Sequence, residues 1–107
     1  MISSQIIQAI KKAEKYPYIV RVGIFGSHAR GDTTPASDVD ILIDYDNSSD
    51  DFMDDLDNFM EDAEILIPSK IDWLTMRGLM KSPNEEFRNE VLRDVKWIHN
   101  GGSASNV

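Results

Sequence analysis

The feature that most constrains this chain is an apolar run that stops at a Gly-Ser pair and is followed by a second apolar run. Residues 18–25 are rich in β-branched and aromatic side chains, which indicates a strand that ends at Phe25. Gly26 and Ser27 follow directly, and a small residue there lets backbone N–H groups approach an anion closely. The sequence therefore predicts a strand, a phosphate-binding turn and then another strand.

Two aspartates introduce the second strand. Asp38 and Asp40 both precede the apolar run 41–43. Side chains two residues apart on a strand point to the same face of the sheet. Two carboxylates held this close repel each other unless a cation lies between them. Oxygen ligands of this kind suit Mg²⁺, which commonly binds one or two carboxylates together with substrate phosphates. Arg30 adds a cation for phosphate, with an exposed structural salt bridge as its alternative role.

The string Gly26-Ser27, ten further residues and Asp38-x-Asp40 resembles the signature of the polymerase β-type nucleotidyltransferase superfamily. The wider string runs from Phe25 to Gly31, as Phe-Gly-Ser-x-Ala-Arg-Gly, and continues at residues 37–40 as Ser-Asp-x-Asp. It is similar to the smallest branch of that superfamily, the minimal nucleotidyltransferases. This resemblance implies an α/β (α+β) fold with a small mixed β-sheet and helices packed on it. We expect that fold to occupy residues 1–100 as a single domain.

The resemblance also implies a third carboxylate from a later strand, and Asp72 matches it by position. Asp72 interrupts the apolar run 70–74, which is costly unless the carboxylate has a partner; a surface strand position is the alternative. In the family these residues hold one or two Mg²⁺ ions with ATP as the substrate. The predicted catalytic and metal-binding residues are Asp38, Asp40 and Asp72, and the predicted nucleotide-binding residues are Gly26, Ser27 and Arg30.

Minimal members of the family often act with a helical HEPN-type RNase toxin as its antitoxin, and some are similar to protein adenylyltransferases. The resemblance thus implies AMP transfer from ATP to a tyrosine hydroxyl of such a toxin, within a hetero-oligomer. Two alternatives stay open, a non-catalytic antitoxin that acts by binding and a nucleotidyltransferase for a small molecule. The intact acidic positions favour the enzyme, and the lack of an acceptor-binding domain in these 107 residues disfavours the small molecule.

Charge and composition narrow the function further. The chain carries 19 acidic and 11 basic residues, a net charge of −8, whereas proteins that grip nucleic acid normally present a basic face. We therefore expect no direct nucleic-acid binding. The lack of cysteine excludes disulfides and thiolate zinc sites, and no apolar run reaches the roughly 18–20 residues that a membrane span needs. The expected location is cytoplasmic. The acidic run 49–62 indicates a solvated helix face or a docking surface for a basic partner.

The remaining segments predict helices. One begins at Ser3 or Ser4 and ends before Pro17, and another begins near Ser49. A last helix is predicted from Ser82 to Asn100-Gly101, and 101–107 is expected to be a flexible tail. The predicted buried face of that last helix carries Phe87, Val91, Val95 and Ile98, with Leu92 beside them.

Overall fold

The computed structural model describes residues 2–101, in which a mixed sheet of four strands has helices on both faces. A short 3-10 turn, Lys12–Lys15, follows the first helix. In chain order the elements are α1 (Ser4–Lys11), β1 (Ile19–Phe25), α2 (Ser27–Arg30), β2 (Val39–Tyr45), α3 (Asp51–Leu66), β3 (Ile71–Thr75), α4 (Met76–Lys81), α5 (Glu85–Asp94) and β4 (Lys96–Asn100).

The strand order β3-β2-β1-β4 fixes where the site forms. β1 pairs antiparallel with both β2 and β4, while β2 and β3 run parallel. In this register Phe25 lies opposite Asp40, and Asp40 lies beside Asp72. The end of β1 and the beginnings of β2 and β3 therefore meet at one edge of the sheet.

The two faces of the sheet are covered by different helices. One face packs against α1 and α3, with Ile24 and Ile41 of the sheet meeting Phe59 of α3. The other face packs against α4 and α5, where Leu42 meets Val91. Burying an aliphatic or aromatic side chain stabilises a fold by roughly 1.5–3 kcal/mol, so these two layers hold the sheet from both sides. The mixed sheet with packed helices confirms the predicted fold class.

The C-terminal third differs from the sequence prediction. The helix predicted to run to Asn100-Gly101 ends at Asp94, and the following segment is the edge strand β4. Val91 and Val95 share helical spacing, but Val95 is already extended, with φ −61° and ψ 136°. The prediction was wrong because β1 offers a pairing edge. Gly23 makes room for β4, since a Cβ there would lie 2.8 Å from Val95 Cγ2.

The start of the last helix is also corrected. The predicted cap was Ser82, but the N-cap is Asn84, whose side chain accepts a hydrogen bond from the Phe87 N–H at 3.0 Å. Ser82 instead accepts from the Asn84 N–H at 3.2 Å, a local turn that competes with capping. The predicted tail lies outside the described residues except for Gly101. Over residues 2–101, none of the helices has the length and apolar character that crossing a bilayer demands.

Candidate active site

The turn between β1 and α2 depends on glycine. Gly26 adopts φ 72° and ψ −151°, a conformation that residues with a Cβ rarely tolerate. A Cβ on Gly26 would lie only 2.2 Å from Asp40 Oδ2. The Gly26 carbonyl then accepts hydrogen bonds from the N–H groups of Ala29 and Arg30, at 3.1 and 3.0 Å, which starts α2 at Ser27. The turn therefore brings bare backbone directly against the Asp40 carboxylate.

Asp40 and Asp72 form a pair of carboxylates on adjacent strands. They are register partners on β2 and β3, and both line the same pocket. They lie two residues before Leu42 and Leu74, so they project from the sheet face that α5 covers. Burial, and then the negative charges of Asp72 and Asp38, raise the pKa of Asp40. The charges of Asp72 and Asp38 therefore act on the Asp40 carboxylate, in addition to its burial.

Asp38 is the outer member of the predicted set. It immediately precedes β2 and is half-buried, and its charge acts on Asp40. Within residues 2–101, however, no three acidic, histidine or cysteine side chains converge closely enough to hold one ion as they stand. The fold brings Asp40 and Asp72 together, while the complete three-carboxylate set stays a prediction.

The Asp40–Asp72 pair fits a divalent cation chemically. Both side chains offer only oxygen, the donor type that Mg²⁺ prefers. The nearest compensating charge on Asp72 is Lys70 Nζ, 3.8 Å from Asp72 Oδ1, and this pair is largely exposed and therefore weak. A cation between the carboxylates would relieve their repulsion, which adds to burial in raising the pKa of Asp40. Asp40 and Asp72 would hold such an ion, with Asp38 beside them.

Arg30 lies at the wall of the pocket and is ion-paired. Its Nε is 3.2 Å from Asp32 Oδ2, and its Nη1 is 3.4 Å from Asp94 Oδ2 on α5. The Arg30 side chain is 47% exposed, so these pairs are weak and exchangeable. The salt-bridge role foreseen for Arg30 is thus observed, while phosphate binding by its guanidinium stays a prediction.

The pocket has a volume of about 520 Å³ and is open to solvent, within the size range of small-molecule sites. Sequence reasoning missed its far wall, which α5 provides. Phe87 was predicted to be buried but is 37% exposed at this wall. The available signal was a face of α5 on which two acidic residues accompany two apolar ones, namely Phe87, Glu90, Val91 and Asp94. The lining residues used below are Gly26, Arg30, Asp40, Asp72, Phe87, Glu90, Val91 and Asp94.

His28, to which the sequence assigned no role, follows Ser27 on α2. Its Nε2 is buried and has no hydrogen-bond partner within the described part of the chain. Apolar side chains of the N-terminal segment, Ile2 and Ile7, line the same small cleft. Buried polar atoms of this kind are uncommon, and nothing around His28 accounts for it.

Comparison with known proteins gives the family. Residues 3–99 match the family model described as nucleotidyltransferase domain. The protein adenylyltransferase MntA of Thermococcus cleftensis is 34% identical over 97 residues, which cover 87% of this chain and 89% of that protein. The match therefore spans nearly all of both chains.

Solved structures agree with the sequence match. A structure described provisionally as a minimal nucleotidyltransferase is 28% identical, with a TM-score of 0.63 over 84% of this chain and 86% of that one. Two toxin–antitoxin structures, one with AMP-PNP and one of a mutant MntA-HpeT pair, superpose with a TM-score of 0.62 over 88% of this chain and 73% of the matched chain. Their identities of 18% and 17% make them evidence for the fold alone.

Proposed function

This chain belongs to the nucleotidyltransferase domain family, and from that premise we propose that it is a Mg²⁺-dependent protein adenylyltransferase. The acceptor we propose is a tyrosine hydroxyl on a HEPN-type RNase toxin, for which the chain would be the antitoxin. The observation that carries the proposal is the Asp40–Asp72 pair facing an open pocket beside Gly26. The MntA relative, described as a protein adenylyltransferase, supports a protein acceptor. The tyrosine and the HEPN-type toxin come from the family resemblance.

The β1–α2 turn would receive the triphosphate. Gly26 exposes backbone there, and the Ser27 hydroxyl stands at the start of α2. Arg30 would exchange a carboxylate partner for a phosphate oxygen. Asp40 and Asp72 would hold Mg²⁺, which when bound neutralises phosphate charge and the charge that develops on departing pyrophosphate.

The transfer itself needs a proton acceptor. The tyrosine oxygen forms a bond to the α-phosphorus of ATP while the bond from that phosphorus to the pyrophosphate oxygen breaks. A phenol with a pKa near 10 is mostly protonated at neutral pH, so its proton must pass to a base. Asp72 suits this role because its side chain is 51% exposed at the pocket, within reach of a partner's side chain, whereas Asp40 is half-buried against Gly26.

Transfer would silence an RNase by changing its surface. AMP adds bulk and negative charge to the tyrosine, and a negative group beside an RNA-binding surface opposes the phosphate backbone. The acceptor side chain must enter a pocket that is open to solvent, which suits a partner protein that presents a tyrosine from outside.

The test is to incubate the chain with a HEPN-type RNase toxin, ATP and Mg²⁺, and to weigh the toxin by intact-mass spectrometry. We expect a mass increase of whole AMP units that peptide mapping places on tyrosine. Asp40→Ala should abolish the increase, whereas Glu14→Ala, a change at an exposed position outside both the pocket and the acidic run 49–62, should leave it intact. A toxin that is neutralised with no change in mass would establish the binding-only antitoxin instead.

A further inference from the structure

Helix α5 presents two different stripes to the pocket. Phe87 and Val91 are four residues apart and form an apolar stripe, while Glu90 and Asp94 form an acidic one beside it. Val91 is buried under the sheet and fixes the helix, so Phe87, one turn earlier, is held at the pocket wall. Phe87 keeps 37% of its surface exposed, which leaves part of the ring free for a ligand.

Charge determines which part of a nucleotide can lie against α5. Arg30 reaches α5 at the C-terminal end of that helix, where its Nη1 lies 3.4 Å from Asp94 Oδ2, so the groups that suit phosphate lie at that end of the pocket. Glu90 lies between Asp94 and Phe87 along the helix, and its carboxylate repels phosphate oxygens there. The uncharged nucleoside is the part of ATP that the Phe87 end of the α5 wall can accept.

We propose that Phe87 is the platform on which the nucleobase stacks, and so a residue that sets nucleotide affinity; this inference rests on the proposed function. Phe87, Gly26 and Asp40 line one pocket of about 520 Å³, so the base and the phosphates of one nucleotide would occupy the same pocket. Stacking on a phenyl ring needs only the flat face of the base. Phe87 therefore provides affinity for every base, and more for the larger purines than for pyrimidines.

Calorimetry separates the base from the phosphates. Titrations with ATP and with inorganic tripolyphosphate, both with Mg²⁺, are compared for the wild type and Phe87→Ala. We expect the ATP affinity of Phe87→Ala to fall about ten-fold, from the magnitude typical of base–aromatic stacking, and its tripolyphosphate affinity to stay unchanged. Phe87→Tyr should restore ATP binding. Leu92→Ala is the matched control, because Leu92 is 43% exposed on the same helix and is absent from the pocket lining.

Two results would overturn the inference. One is an unchanged ATP affinity in Phe87→Ala, and the other is an equal loss for ATP and tripolyphosphate, which would make Phe87 a structural residue. Circular dichroism checks that each variant is folded. The proposed function would fail on a different result. If Phe87→Ala loses ATP affinity as expected but the wild type places no AMP on the toxin, protein adenylylation is refuted and the base platform stays in place.

Discussion

At Gly26 the backbone has φ 72° and ψ −151°, and the missing side chain leaves space that Asp40 fills. These are two separate reasons for glycine. The first is conformational, since holding a residue with a Cβ in this region costs of order 1–3 kcal/mol. The second is steric, since the Asp40 carboxylate stands where the Cβ would be. Both follow from the geometry of one turn, and the second ties that turn to the Asp40 carboxylate.

Gly26→Ala should therefore abolish MgATP binding and lower the free energy of unfolding by about 1–3 kcal/mol, because the new Cβ both strains the turn and displaces Asp40. Calorimetry and urea denaturation measure the two effects. Gly31→Ala is the control, as Gly31 also has a positive φ, 86°, at the end of α2 but in the common left-handed region. It should lose about 1 kcal/mol of stability and keep ATP binding. Normal ATP binding by Gly26→Ala would contradict this account of the turn.

At the scale of elements, the contrast between β2 and β4 shows what sequence can predict. The start of β2 is marked locally by two aspartates before an apolar run, so its place and its chemistry were both foreseeable. β4 carries no such mark, because its Ile98 continues the helical spacing of Val91 and Val95. Its strand conformation comes from pairing with β1, more than 70 residues earlier in the chain. The α5 wall of the pocket was missed for a similar reason, since spacing within a segment does not show what that segment packs against.

A polar tether joins the 3-10 turn to α3. The Tyr16 hydroxyl donates a hydrogen bond to Asp62 Oδ2 at 2.5 Å, and Lys15 Nζ lies 3.1 Å from the same oxygen. The hydrogen bond from Tyr16, followed by that from Lys15, lowers the pKa of Asp62. The Asp62 pKa is thus lower in the folded than in the unfolded chain. The resulting stabilisation is present above the unfolded value of about 4 and is lost as pH falls through the lower folded value.

The prediction is a pH-dependent gap between the wild type and Asp62→Asn in their free energies of unfolding. The gap should be constant from about pH 7 to pH 5 and should shrink as pH falls below about 4, because the tether needs an ionised carboxylate. Urea denaturation at each pH measures it. Asp57→Asn, on the exposed face of the same helix, should show no comparable gap. A gap that stays constant down to pH 3 would mean that the Asp62 charge does not stabilise the fold.

On the scale of the whole molecule, the pocket and the acidic surface of α3 lie on opposite faces of the sheet. The pocket opens at the sheet edge where β1 ends and β2 and β3 begin, under α5. Helix α3 covers the opposite face of the sheet, and its solvent side carries Asp51, Asp54, Asp57 and Glu61. This helix face accounts for much of the net charge of −8. Under the proposed function, a basic toxin attracted by that surface would have to present its tyrosine at the other face.

The fold class was implied by the family resemblance, whereas the Gly-Ser turn and the paired aspartates were marked by local patterns in the sequence. The Asp40–Asp72 contact was foreseen by resemblance, and the parallel register of β2 and β3 places the two residues side by side. The pairing of Arg30 with Asp94 could not be foreseen, because it joins residues 64 apart in the chain.

The most direct test of the central claim, that Asp40 and Asp72 jointly bind metal and nucleotide, is calorimetric titration of ATP with and without Mg²⁺. The account predicts measurable ATP binding that requires Mg²⁺ and is abolished in the Asp40→Asn/Asp72→Asn double variant, while Asp57→Asn binds like the wild type. Removing both carboxylates removes the oxygen ligands, so added Mg²⁺ should no longer raise the affinity. Equal ATP affinity with and without Mg²⁺, or an unchanged affinity in the double variant, would contradict it.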